Sequence, residues 1–168
     1  MSQKWDERFL RLAAHVAAWS KDPSTKCGAV VARGNDVLGM GYNGFPAATP
    51  DDPALLENRP EKYARVIHAE VNAVVNAYRK GLNVEGATLY TWPPGIAPSC
   101  DRCTAFVIHA GIKRVVYYRE ETEMSKRWEP DRSLKMYAEA GVEVVPILTA
   151  DPWAWIADKI AKDYYHGT

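Results

Sequence analysis

Cysteine is scarce in this 168-residue chain: Cys27, Cys100 and Cys103 are the whole complement. Three thiols build no disulfide framework, so a packed core must hold the chain together. An excess of one charge sign is also missing. Lys and Arg number 21, Asp and Glu number 21, and the formal net charge is zero. General nucleic-acid binders carry a basic excess against phosphate, so a polynucleotide partner is not expected. No run of about 18 apolar residues occurs, so no membrane span is expected. Residues 1–22, MSQKWDERFLRLAAHVAAWSKD, are charged throughout and lack a secretory-leader layout. Internal repeats and low-complexity tracts are absent as well. What is left is a soluble cytoplasmic protein with a single domain over 1–168. A 47% hydrophobic composition supplies its core.

The periodicities then place the elements. Trp5, Phe9, Leu12, Val16 and Trp19 alternate spacings of four and three, which predicts an amphipathic helix ended by Asp22-Pro23-Ser24. GAVVAR (28–33) and VLGMGYN (37–43) read as strands of a hairpin across Gly34-Asn35-Asp36. Residues 44–64 hold four prolines and several acids, which reads as a long loop with room for a short helical turn. VIHAEVNAVVNAYRKG reads as a helix buried nearly all round and closed by Gly81. Strands follow at 87–92, 113–118 and 142–147. Helices are expected from Cys100 to Ala110 and over 131–140, the latter with Leu134, Tyr137 and Ala138 on one side. Trp153, Ile156, Ile160 and Tyr164 predict a C-terminal helix within 151–165. Alternating strands and helices imply an α/β protein with a mostly parallel sheet covered on both faces and an antiparallel edge from the hairpin.

One stretch raises a chemical question. In VIHAEVNA (66–73), His68 and Glu70 stand two apart inside an apolar run. Positions i and i+2 diverge in a helix interior, so they share one point only near a helix end. Cys100 and Cys103 open a second helix at a spacing that puts both sulfurs on one face. His68, Cys100 and Cys103 are three N/S donors of the kind zinc prefers. One Zn2+, two thiolates and a neutral imidazole sum to zero charge, and helix N-termini favour the thiolates. Three protein ligands leave a fourth position for water, the mark of a catalytic zinc, and lower that water's pKa towards about 7. Glu70 is placed to take the water's proton and deliver it to a substrate atom.

The pattern H-x-E followed by a proline and C-x-x-C resembles the zinc deaminases of nucleobases. The resemblance to the deoxycytidylate deaminase family, within the cytidine deaminase-like superfamily, extends over about residues 5–147. It is carried in order by SKDPSTKCGAVV (20–31), GMGYNGFP (39–46), YARVIHAEVNAV (63–74), GATLYT (86–91), AGIKRVVYY (110–118) and AGVEV (140–144). It implies a three-layer α/β/α fold with a central five-stranded mixed sheet. It implies zinc on His68, Cys100 and Cys103, and Glu70 as proton shuttle. Hydroxide would attack C4 of cytosine, turning dCMP into dUMP and ammonia. Asn43 would contact sugar or base, the Ala69 amide the pyrimidine edge, and Lys21 and Ser24 the nucleotide near its phosphate. The family also implies a homo-oligomer, dimer or hexamer, and regulation by dCTP and dTTP, with Mg2+ accompanying a nucleotide effector.

Two segments depart from the family pattern. The loop at 92–99 is several residues longer, and Ser99 separates Pro98 from Cys100. After the 113–118 strand comes Arg119-Glu120-Glu121-Thr122-Glu123 in place of an Asp-Lys-Tyr type segment. These departures keep other deaminase substrates open: dCTP, CMP, a modified nucleotide, a nucleoside or a base. A non-catalytic module with a closed zinc site would need a fourth ligand, for which Cys27 and His109 are the candidates. A redox C-x-x-C would leave His68-Ala69-Glu70 unexplained. His15, among apolar helix residues, reads as structural. The same holds for Asn72.

Overall fold

The computed structural model of this protein describes residues 2–50, 52–94, 98–119 and 131–148. In chain order the elements are α1 (Gln3–Ala17), β1 (Gly28–Arg33), β2 (Asp36–Tyr42), α2 (Pro53–Glu57), α3 (Arg59–Arg65) and α4 (Ala69–Tyr78). They continue with β3 (Thr88–Trp92), α5 (Asp101–His109), β4 (Arg114–Arg119), α6 (Asp131–Glu139) and β5 (Glu143–Leu148). The five strands form one sheet in the order β2-β1-β3-β4-β5. β1 pairs antiparallel with both β2 and β3, while β3, β4 and β5 run parallel. The mixed sheet with helices on both faces is the expected three-layer α/β/α arrangement.

Strand alternation makes the layers. In β1, Ala29 and Val31 face one side with Leu89 and Val115, and meet Ala69, Ala73, Val74 and Ala77 of α4, Val107 of α5 and Tyr137 of α6. Val30 and Ala32 face the other side with Tyr90, Val116 and Ile147, and meet Phe9, Leu10, Ala13, Ala14 and Ala17 of α1. Every residue of β3 is buried, because both of its faces are covered. At about 25 cal/mol per Å2 of apolar surface removed from water, each large side chain here adds roughly 1.5–3 kcal/mol.

The approach of α4 to β2 depends on glycine. A Cβ on Gly39 or Gly41 would run into the backbone of Ala73, so only bare backbone lets the helix lie this close. Two side-chain amides fasten the contact: Asn72 Nδ2 donates to Tyr42 O at 2.8 Å, and Asn76 Nδ2 donates to Met40 O at 2.9 Å. Asn72 therefore has the structural role that its sequence context suggested.

Several sequence expectations shift in detail. Helix α1 ends at Ala17, and Trp19 lies beyond it, 50% exposed and edge-on to Tyr42. The buried stripe runs instead through Phe9, Leu10, Ala13, Ala14, Val16 and Ala17, so small alanines do the packing expected of tryptophan. Helix α4 is not buried all round: Val75 and Tyr78 are exposed, since only its sheet-facing side is covered. The 44–64 segment contains two short helices, each capped at its start by a side chain. Asp52 accepts from the Ala54 amide and Asn58 from the Glu61 amide, with proline in the first turn of both. On α6 the buried positions are Ser133 and Tyr137, and Ala138 faces out. The helix expected at 151–165 and the acidic segment at 120–123 lie outside the described residues.

Candidate metal centre and active site

Two helices begin at the same place. His68 is the N-cap of α4, with φ −74° and ψ 156°, and Cys100 is the N-cap of α5, with φ −71° and ψ 163°. Both residues are extended and the helix starts one residue later. Glu70 then sits in the first turn of α4, which resolves the i, i+2 difficulty: His68 is not helical at all. Cys103, one turn into α5, completes the set. His68 Nδ1 stands 3.4 Å from Cys100 Sγ and 3.3 Å from Cys103 Sγ, and all three donor atoms lie within 4.8 Å of one another.

That geometry can be tested against zinc. With Zn–S near 2.3 Å and Zn–N near 2.05 Å, tetrahedral angles put nitrogen and sulfur about 3.6 Å apart. The observed separations match, so the donor set fits zinc in both chemistry and spacing. The cluster takes in neither Cys27 nor His109, the two candidates for closing it. Cys27 packs against the apolar core, and burial, reinforced by the negative charge of Glu70, pushes its thiol pKa up. His109 is exposed at the far end of α5. His15 is exposed on α1, edge-on to Trp19.

The electrostatics suit the same centre. A hydrogen bond from Cys103, together with one from His68, pulls the Cys100 thiol down to about 4. The same bond, together with burial, raises Cys103. His68 is raised, chiefly by its hydrogen bond to Cys100. Burial raises Glu70, against the lowering effects of its own backbone amide and of His68. A carboxylate with a raised pKa is a better proton acceptor than a free one.

A second polar cluster forms the adjoining rim. Gly44 and Ile67 exchange backbone hydrogen bonds, at 3.1 and 2.8 Å, and so fasten the Asn43 segment directly beside His68. Asn43 is buried and heavily used: Oδ1 accepts from the Cys27 amide at 2.8 Å, while Nδ2 donates to Thr25 O at 2.8 Å and Asp22 Oδ2 at 3.2 Å. Ser20 Oγ donates to Asn43 O at 2.7 Å. Lys21 and Ser24 are exposed on the same 20–27 turn, and Ala69 is buried as the first residue of α4.

Two residues of this rim escaped the sequence reading. Asp22 accepts from the amides of Ser24 and Thr25, at 2.8 and 3.1 Å, and from Lys62 Nζ at 2.6 Å. Lys62 also donates to Ser24 Oγ at 3.2 Å, so α3 is pinned to the turn. Asp-Pro-Ser was a visible signal, because an aspartate ahead of proline often folds back on following amides. Lys62 carried no signal, since its partner lies 40 positions away.

An α/β/α sheet that brings three zinc-type donors and a carboxylate together at two helix N-termini has the parts of a catalytic metal site. A family model described as the cytidine and deoxycytidylate deaminase zinc-binding region matches residues 3–119, and the chain belongs to that family. An "uncharacterized deaminase in luxG 3'region" of Aliivibrio fischeri is 39% identical over 148 residues, spanning 86% of this chain and 94% of that protein. The deoxycytidylate deaminase of Mus musculus is 35% identical over 137 residues, spanning 78% and 74%. The crystal structure of dCMP deaminase from cyanophage S-TIM5 with dCMP and dUMP shares the fold, at TM-score 0.67 and 24% identity, covering 88% and 99%.

Proposed function

We propose that this chain hydrolyses dCMP to dUMP and ammonia, with zinc held by His68, Cys100 and Cys103. The observation that carries the reading is the convergence of those three donors and Glu70 on two helix N-termini. The mouse relative's activity on deoxycytidylate supports the choice of substrate. Zinc in this site would supply Lewis-acid activation of a water molecule. Glu70 takes that water's proton and delivers it to N3 of the cytosine ring. It then carries the second proton to the amino group. A C4–O bond forms, the C4–N bond breaks, and ammonia leaves, so one water is consumed per uracil made. The first amides of α4 have no partner within the helix, and we assign that of Ala69 to the pyrimidine edge. Asn43 holds the 20–27 turn against the site, and through it Lys21 and Ser24 are offered to the nucleotide.

The proposal extends to a single domain over 1–168 with a C-terminal helix at 151–165, a cytoplasmic location and a homo-oligomer, dimer or hexamer. Mg2+ enters only with a dCTP or dTTP effector. No helix among the described residues is long and apolar enough to cross a membrane. The longer 92–99 loop runs straight into Cys100 and favours a second reading, in which another cytosine nucleotide such as CMP or dCTP is preferred. The test is ammonia release from dCMP, CMP, dCTP, deoxycytidine and cytosine by the zinc-loaded protein. dCMP should turn over fastest, and Glu70→Ala should lower the rate about 10^2- to 10^4-fold. Turnover of another substrate with dCMP inert would replace dCMP by the second reading. Silence across the panel would leave a binding module.

A further inference from the structure

A chain of three buried hydroxyls lies beneath the metal-binding turn. Ser99 Oγ is 2.7 Å from Thr104 Oγ1 and 2.7 Å from Tyr137 OH, and all three residues are at most 1% exposed. Ser99 immediately precedes Cys100 and Thr104 immediately follows Cys103, so the hydroxyls bracket both thiol ligands. Tyr137 arrives from α6, 38 positions further along the chain, through the apolar core. The Ser99 side chain fixes the chain at the point where it enters the metal site. Leaving a buried hydroxyl without its partner is unfavourable, so each of the three holds the others in place.

We propose that Tyr137 is a positioning residue for the metal centre, acting through Ser99 to hold the Cys100–Cys103 turn in its ligating geometry. Helix α6 lies beyond the segment that the family model matches, which ends at 119. This inference rests on the zinc reading above but not on the choice of substrate.

The test uses the zinc-loaded full chain. Zinc release to excess 4-(2-pyridylazo)resorcinol is timed for Tyr137→Phe, Ser99→Ala, the double variant and Tyr90→Phe. Tyr90 is an equally buried tyrosine whose hydroxyl bonds Asp6 instead, at 3.0 Å. Partners behind metal ligands typically contribute 10–100-fold to metal affinity, so Tyr137→Phe and Ser99→Ala should each release zinc about 10-fold faster. The double variant should be no faster than either alone, and the sulfur-to-cobalt absorption of the Co2+-substituted protein should shift in all three. Tyr90→Phe should lower the melting temperature and leave zinc release unchanged. Release at the wild-type rate from Tyr137→Phe would overturn the inference, as would equal acceleration in Tyr90→Phe. If Tyr137→Phe does not fold, Ser99→Ala carries the same test alone. A wild type that takes up no zinc overturns this inference together with the zinc reading. A wild type that holds zinc but releases no ammonia overturns only the substrate reading.

Discussion

Replacing Asp22 with alanine isolates what holds the rim of the site. Its carboxylate is 3% exposed and receives four donors: the Ser24 and Thr25 amides, Asn43 Nδ2 and the Lys62 ammonium. Lys62 is itself only 11% exposed, so the change strands a positive charge in a low-dielectric pocket. Breaking a buried pair by removing one partner costs about 3–5 kcal/mol. In a chain of this size, each kcal/mol lowers the melting temperature by about 2–4 °C, so Asp22→Ala should melt roughly 6–20 °C lower. Urea unfolding of a double-mutant cycle apportions the loss. Lys62→Met should cost less than Asp22→Ala, because Asp22 keeps three hydrogen bonds. Adding Lys62→Met to Asp22→Ala should recover about 1–3 kcal/mol by removing the stranded ammonium. Since the turn bears Lys21 and Ser24, KM for dCMP should rise while zinc content stays at one ion per chain. A loss under about 1 kcal/mol, or strictly additive substitutions, would show that the pair is solvated and that it does not hold the turn.

Cys103→Ser should abolish tight zinc binding, measured by metal content after dialysis, because the hydroxyl remains protonated where a thiolate anion is required. Gly41→Ala should destabilise the protein by about 1–3 kcal/mol in urea, as its methyl meets the α4 backbone rather than a side chain that can turn aside. Alkaline pH should unfold the protein. Burial, and then the Asp6 carboxylate, raise Tyr90 above the ordinary value of 10.0, and burial raises Tyr137 as well. The folded state thus favours the neutral phenol. Its contribution is complete below pH 10 and is lost as pH climbs from there through the folded pKa. The melting temperature should fall above pH 10, and less steeply in Tyr90→Phe.

Much of this architecture was legible because it follows from local rules. Alternation in GAVVAR and the small residues of α4 specify which surfaces face each other, and α5 was located to within a residue at each end, whereas VIHAEVNAVVNAYRKG overruns α4 at both ends. Trp19 misled because tryptophan at helical spacing counts as apolar, whereas the chain leaves the helix two residues earlier. The all-round burial expected for α4 failed for a related reason. Composition records how apolar a helix is, not how many neighbours cover it.

The sequence by itself determined the metal chemistry. Two cysteines at i and i+3, a histidine with an acid two residues on, and a chain with no other thiol except Cys27 permit few donor sets. Tertiary structure alone decided how those groups are held. Asp22 meets Lys62 across 40 positions, and Ser99 meets Tyr137 across 38. Nothing local marks either partner, because a buried charge or hydroxyl takes whichever donor or acceptor the folded sheet and its helices bring within 3 Å. Ligands are legible because metal geometry constrains their spacing along a helix. Their supports are not, because a hydrogen bond constrains only a distance in space.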